Sequence, residues 1–214
     1  MRAAKVGLVM AALIVGTSAP ALAGAGHYRV PDWSADINVR IDSIMNGPLN
    51  VTAAETEARA GFAAWNGVSG AWLDFVFQDY LDMSNSIVVS NLPVGYAYLT
   101  SSSLSPTLGA VETRHIVGNV IDKSLIEMNS NRSDWHISSS LTLPANRLDY
   151  RSVTTHEWGH TTGFFHIDDV TTCGGSLSDD QTMCSVQHIS SSQQNPPPYR
   201  SLQSHESTDF AANY

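Results

Sequence analysis

The chain has 214 residues, and its 20 acidic residues outnumber its 11 basic ones, which gives a formal net charge of −9 at neutral pH. This negative charge argues against nucleic acid and anionic membrane surfaces as partners, because both are themselves negatively charged. The length suffices for one domain with a well-buried core, and the sequence shows neither an internal repeat nor a second domain.

The first 23 residues have the three parts of a secretory signal peptide. Arg2 and Lys5 supply the positive start, an apolar run of 11 residues follows, and Ala21-Leu22-Ala23 is a small-x-small cleavage site. The run is shorter than the roughly 20 residues of a membrane-spanning helix, so a retained anchor is the weaker alternative. We therefore expect residues 1–23 to be removed and residues 24–214 to be one secreted, extracellular domain.

The first two predicted elements are a strand and a helix. An alternation of apolar and polar residues indicates a half-buried strand around Ile37, Val39 and Ile41. The spacing of Thr52 and Glu55 is that of a capping box, and it predicts a helix that continues through about Trp65.

Three strands are predicted in the middle of the chain. Ile87 to Ser90 is a candidate for a short buried strand. Gly109–Val117 and Val120–Asn129 have strand-like composition, and the Gly118-Asn119 pair between them is a turn signal.

Two helices are predicted in the last third. Asp149 is the predicted N-cap of a helix from about Tyr150 to Thr162, because its carboxylate can accept hydrogen bonds from the first turn. Ser204 is predicted to open a final helix that buries Phe210 and Tyr214.

Residues 156–166 read His-Glu-Trp-Gly-His-Thr-Thr-Gly-Phe-Phe-His, which is the most specific chemical signal in the chain. His156 and His160 are four residues apart, so on a helix they lie on one face and can bind one Zn²⁺. Gly163 can adopt the left-handed conformation that ends a helix, which would let His166 supply a third nitrogen. Three protein ligands leave the fourth tetrahedral position to water, as in a catalytic zinc site.

Glu157 follows the first of these ligands and can reach such a water without binding the metal. A chance match to the five specified positions of the motif has a probability on the order of 10⁻⁴ in a chain of this length. We therefore predict one catalytic zinc ion, with Glu157 as the general base of a hydrolysis.

The segment H-E-x-x-H-x-x-G-x-x-H resembles the metzincin metallopeptidases, and Thr182-Met183-Cys184 is similar to the Met-turn that follows it in that family. The stretch from Ala58 to Phe77 resembles the first long helix and second strand of the matrixins. The resemblance implies an α+β zincin domain with a twisted, mostly parallel sheet, a zinc-site helix and a small C-terminal subdomain. It also implies that Met183 lies beneath the zinc as an apolar floor.

The resemblance implies that the protein is a secreted zinc endopeptidase acting on a protein or peptide substrate, and we expect a monomer. Zinc would lower the pKa of its water toward about 7 and polarise the scissile carbonyl. Glu157 would take the water proton and deliver it to the leaving amine. An extended substrate would lie antiparallel to an edge strand. The alternative is a secreted zinc-containing binding protein without turnover, but the intact Glu157 favours the enzyme.

Cys173 and Cys184 are the only cysteines, and an exported chain usually pairs two such residues. The disulfide would tie the segment after His166 to the Met-turn. The alternative, a cysteine that binds zinc or acts as a latency switch, is weaker because both cysteines lie downstream of the zinc helix.

Three further points concern subfamily, calcium and the other histidines. Ile167 follows the third histidine, where matrixins usually have Ser or Thr, so the subfamily stays open. Structural Ca²⁺ is a further alternative, but loop acids are more often simply solvated, and this applies to Asp168, Asp169, Asp179 and Asp180. The remaining histidines have no motif spacing and are expected to be surface or core residues: His27, His115, His136, His188 and His205.

Overall fold

The computed structural model describes residues 33–42, 51–78, 88–166, 182–184, 193 and 199–214. The predicted signal peptide, Cys173 and the four loop aspartates lie outside these residues. No helix in the described part of the chain is long and apolar enough to cross a membrane.

The described residues form an α+β fold with a mostly parallel sheet, as predicted. The elements in chain order are β1 (Ile37–Ile41), α1 (Val51–Asn66), β2 (Phe75–Phe77), β3 (Tyr96–Ser102), β4 (Ala110–Val117), β5 (Val120–Asn129), β6 (Trp135–His136), β7 (Leu148–Asp149), α2 (Tyr150–Thr161) and α3 (Ser204–Asn213). Five strands form one sheet in the order β2-β1-β3-β5-β4, and β6 and β7 form a separate parallel pair. Within the larger sheet, β4 is the antiparallel strand and lies at one edge.

The strand and helix predicted first are confirmed, but the predicted capping box is wrong. β1 alternates buried and half-buried residues over its five positions. Helix α1 begins at Val51, so Thr52 already lies inside it and cannot be its N-cap. Glu55 instead accepts a hydrogen bond from Arg59 Nε at 2.7 Å. Arg59, four residues further along the same helix, therefore binds the carboxylate that the capping box would have used.

The strand predicted from Ile87 to Ser90 is not formed by its described residues, and the central strand β3 escaped prediction. Val89–Asn91 form a short 3₁₀ turn, and the side chain of Val88 is 50% exposed. The five inner residues of β3 are buried on both faces of the sheet. Burial on both faces removes the alternation by which a half-buried strand is recognised.

The later predictions for regular structure are confirmed. β4 and β5 form a hairpin whose turn contains Gly118 in the left-handed region, with φ of 65°. Helix α3 begins at Ser204, as expected, and both Phe210 and Tyr214 are buried. The N-cap of α3 is Gln203, which forms a capping box with Glu206.

Helices α1 and α2 pack directly on each other, and two tryptophans join them. The indole of Trp65 in α1 donates to the carbonyl of Thr155 in α2 at 2.9 Å. The indole of Trp158 in α2 donates to the carbonyl of Ala58 in α1 at 3.2 Å. Both rings are fully buried, so these bonds satisfy indole groups that would otherwise be costly to bury. Trp158 is therefore a core residue.

The backbone of α1 lies close to the backbone of α2 at Gly61. A Cβ atom at this position would lie 2.7 Å from Thr154 Oγ1 and 3.1 Å from the backbone nitrogen of Thr155. The hydroxyl can rotate, but the backbone of α2 cannot move without disturbing the helix that carries His156. Gly61 therefore sets the distance between α1 and the helix of the metal site.

Gly61→Ala should destabilise the protein, although alanine is the better helix former. The helix propensity gain is about 1 kcal/mol, and overpacking typically costs about 1–3 kcal/mol. The difference is a net loss of up to about 2 kcal/mol in the free energy of unfolding, measured by urea denaturation. Gly67→Ala is the matched control, because its Cβ would meet only Ala63 and Ala64 carbonyls at 3.5 Å or more. Equal stability of the two variants would contradict the close approach.

Candidate metal centre

The start of α2 is fixed by one buried carboxylate. Asp149 is the N-cap, as predicted, and accepts hydrogen bonds from the Ser152 backbone nitrogen at 3.0 Å and from its hydroxyl at 2.7 Å. The guanidinium of Arg200 binds both carboxylate oxygens, at 2.6 and 2.9 Å. The segment that precedes α3 is thereby attached to the first turn of α2.

The end of α2 turns sharply at Gly163, which has φ of 92° and confirms the predicted left-handed turn. Phe164 N donates back to Gly159 O at 3.2 Å across this turn. The last carbonyls of the helix also find partners from distant parts of the chain. Trp33 Nε1 donates to Thr161 O at 2.6 Å, and Tyr214 Oη donates to Thr162 O at 2.9 Å. The hydrogen bonds from Trp33 and Tyr214 therefore fix the turn that redirects the chain toward His166.

The three predicted ligands converge at this end of α2. The Nε2 atoms of His156 and His160 are 3.0 Å apart, and those of His160 and His166 are 2.9 Å apart. The third separation, between His156 and His166, is 3.1 Å. These three side chains form a group that could hold a metal ion.

Backbone carbonyls orient two of the three imidazole rings. His156 Nδ1 is 2.6 Å from Thr182 O, and His160 Nδ1 is 2.9 Å from Phe164 O. A carbonyl can only accept, so each Nδ1 carries the hydrogen and each Nε2 presents a lone pair. Two facing lone pairs at 3.0 Å repel each other, and a cation between them removes the repulsion. A tetrahedral zinc ion places its nitrogen ligands roughly 3.3 Å apart, which the triad fits closely.

The environment also keeps these imidazoles neutral. Burial and, less strongly, the neighbouring His166 together lower the pKa of His156 to about 4, against the hydrogen bond to Thr182, which raises it. Burial and the other two histidines hold the pKa of His160 well below its usual value. Neutral imidazole is the form that binds metal, so no proton has to be displaced from these rings at neutral pH.

The Met-turn packs against the bare α-carbon of Gly159, between the two helical histidines. A side chain at Gly159 would collide with the sulfur of Met183 and with Trp65 Cζ2, the latter at 2.7 Å. The absence of a side chain at Gly159 therefore permits this close packing. Glu206 of α3, which is fully buried, accepts a hydrogen bond from Met183 N at 2.9 Å. The turn that supplies the Thr182 carbonyl is thus anchored to the last helix.

Glu157 lies on α2 beside His156 and is only 6% exposed. Burial and, less strongly, the charge of Glu112 on β4 together raise the pKa of Glu157 to about 8. A metal cation nearby would act in the opposite direction and favour the carboxylate. Sequence reasoning missed Glu112, because an acidic residue inside a strand shows which face it lies on only once the neighbouring strands are placed.

The predictions about the cysteines and the other histidines have different outcomes. Cys184 is buried, and no described cysteine is a free thiol. Cys173 lies outside the described residues, so the disulfide between the two stays a prediction. Within the described residues, none of the histidines predicted to be surface or core residues joins the triad.

No protein-family model matches the chain, and a search of curated proteins finds no similar sequence. The interpretation of the site therefore depends on its donor chemistry and geometry.

Glu206→Gln should loosen the anchoring of the Met-turn. Each carboxylate oxygen accepts one backbone N–H, from Met183 and Gln203, both at 2.9 Å, and an amide nitrogen cannot accept either. Losing a buried hydrogen bond to a charged group costs about 1.5–3 kcal/mol. We expect that loss in urea unfolding, whereas Glu55→Gln, which breaks a surface ion pair, should cost less than about 1 kcal/mol. A Glu206→Gln protein as stable as Glu55→Gln would refute the anchoring role.

Proposed function

We propose that this protein is a secreted zinc-dependent endopeptidase of the metzincin type, with one catalytic Zn²⁺ bound by His156, His160 and His166. The observation that carries the proposal is the convergence of three imidazole Nε2 atoms to 2.9–3.1 Å from one another. Nitrogen ligands of this kind suit zinc, and three protein ligands leave one coordination position for water. The motif in the sequence and the turn at Gly163 support the metzincin assignment.

Glu157 is the general base in this proposal. When bound, zinc would supply an acidified water and a Lewis acid for the substrate carbonyl. Glu157 follows His156 in the same helix and is almost fully buried, so the carboxylate is held in place. It would accept a proton from the attacking water and pass it to the departing amine, which makes the same side chain base and then acid.

The edge position of β4 supports a polypeptide substrate. In the described sheet, β4 pairs with β5 on one side only, and it also contacts α2. The other side of β4 can therefore hydrogen-bond an extended peptide, which would add to the sheet as an antiparallel strand. The formal charge of −9 favours a protein or peptide partner over nucleic acid or an anionic membrane.

A secreted zinc-containing binding protein without turnover remains the second candidate, because the triad alone could serve either role. Glu157 favours the enzyme, since a pure metal holder does not require a buried carboxylate beside its first ligand. Digestion of unfolded casein with and without a chelator separates the two. Chelator-sensitive cleavage supports the peptidase, whereas stoichiometric zinc without cleavage of a broad substrate panel supports the binding protein.

The purified protein should contain one zinc ion per chain. His166→Ala should lose most of it, because two helical ligands alone cannot complete the site. Elemental analysis after dialysis against a weak chelator measures the content. His115→Ala is the control, since His115 lies on β4 outside the triad. Wild-type zinc retention in single alanine variants of all three triad histidines would reject the ligand assignment.

Glu157→Gln should keep the fold and the zinc, because glutamine is nearly isosteric and the three imidazoles are unchanged. It should lose turnover by about 10²–10⁴-fold, the usual contribution of general acid–base catalysis. The measurement is the cleavage rate of a quenched-fluorescent peptide at equal zinc content.

Glu55→Gln provides the control for this experiment, because it makes the same chemical change on α1. It should cleave at the wild-type rate. If Glu157→Gln also retained the wild-type rate with its zinc bound, the proposed mechanism would be wrong.

A further inference from the structure

Two charged residues of β4 face the metal-site helix and have no role in the mechanism proposed above. Glu112 Oε1 accepts a hydrogen bond from the hydroxyl of Ser124 in β5 at 2.6 Å, and Ser124 is itself fully buried. Glu112 Oε2 binds Arg114 Nε at 3.1 Å. The side chains of Glu112 and Arg114 are only 4% and 15% exposed, so this pair differs from an ordinary surface salt bridge.

These contacts connect the last turn of α2 to the segment beyond Gly163. The hydroxyl of Thr161, the last residue of α2, lies 3.0 Å from the Ser124 hydroxyl. Since Ser124 donates to Glu112, it accepts from Thr161. At the other end, the Arg114 guanidinium lies over the ring of Phe165, 5.2 Å from its centroid. Phe165 immediately precedes His166. The contacts therefore begin at Thr161, before the Gly163 turn, and end at Phe165, after it.

The contact of Arg114 with Phe165, the residue before His166, places the pair beside the metal site. Arg114 Nη1 is buried and has no hydrogen-bond partner among the residues that the structure describes. A cation so close to a site for a divalent cation, with one donor unsatisfied, is unfavourable for metal binding on charge alone.

We propose that Glu112 and Arg114 are positioning residues that hold the Phe165–His166 segment against α2 in the orientation required for metal binding. His166 is the one triad member outside the helix and is exposed, so its position depends on the segment that carries it. The stacked guanidinium fixes that segment, and Glu112 fixes the guanidinium. The inference rests on the proposed function only in taking His166 as a zinc ligand.

The sign of one substitution separates positioning from simple charge effects. Arg114→Met removes a positive charge near the site, which by Coulomb attraction alone would tighten Zn²⁺ binding. If Arg114 positions His166, the same change weakens binding. We expect the affinity for Zn²⁺ to fall about 10–100-fold, the usual effect of losing a residue that orients a metal ligand. Competition with a chromophoric chelator, using the full mature chain, measures the affinity without any assay of proteolysis.

The chain contains a matched control. Arg59 is paired with Glu55 and lies over the ring of Phe77, 3.2 Å from its centroid, and Phe77 belongs to β2 at the opposite edge of the sheet from β4. Arg59→Met breaks the same three-part arrangement away from the histidines and should change Zn²⁺ affinity by less than about threefold. Arg114→Lys, which retains the charge, should recover part of the affinity, and Phe165→Leu, which removes only the ring, should weaken binding.

The outcomes are distinct. Weaker binding in Arg114→Met and Phe165→Leu, with wild-type binding in Arg59→Met, supports the positioning role. Affinity in Arg114→Met that equals or exceeds the wild-type affinity overturns it and leaves the proposed function intact. If Arg114→Met does not fold, Phe165→Leu decides alone. A wild-type protein that binds no Zn²⁺ overturns the proposed function itself, and the positioning role with it.

Discussion

The contact of Met183 and Trp65 with the bare α-carbon of Gly159 is the constraint on which the metal site depends. Any side chain at Gly159 would collide with both residues. Glycine costs about 1 kcal/mol relative to alanine inside a helix. In return the Met-turn lies close enough for the Thr182 carbonyl to reach His156 Nδ1, at 2.6 Å. Glycine at this position therefore lowers the intrinsic stability of α2, and it allows the contact that orients the His156 ring.

The same helix is buried although its sequence is polar. Ten of its twelve residues are buried, including three threonines, a serine, His156 and Glu157. The hydroxyls of Thr154 and Thr155 donate to Arg151 O at 3.0 and 2.8 Å, so they are satisfied within the helix. Buried polar groups with partners make a rigid element, and rigidity is what a preorganised ligand set requires.

Local patterns in the sequence were sufficient for the elements that carry the site. The N-cap at Asp149 and the turn at Gly163 each follow from a residue type at a fixed offset. Predictions failed where a competing contact within the helix, in one case, or burial in the sheet, in the other, decided the outcome. The capping box lost its carboxylate to Arg59, and strand β3 lacked an alternating pattern because it is buried on both faces.

The partners of the site could not be predicted for a related reason. Glu112 and Arg114 are two charged residues in a strand, and most such pairs are solvated. Their significance depends on β5 placing Ser124 against Thr161 and on the turn placing Phe165 over the edge of the sheet. Neither contact can be predicted from the spacing of residues along the chain.

The oxygens that orient His156 and His160 belong to the backbone. This determines which substitutions can disturb the geometry of the site. No side-chain substitution at Thr182 or Phe164 can remove these carbonyl oxygens, so these acceptors do not depend on residue identity there. The sensitive positions are those that fix the path of the backbone: Gly159, where the Met-turn lies against the helix, Gly163, where the chain reverses, and Glu206, which holds the Met-turn from α3. The geometry of the three imidazoles therefore depends on how the segments of the chain pack, and one of the positions that control it, Glu206, is remote from the histidines in sequence.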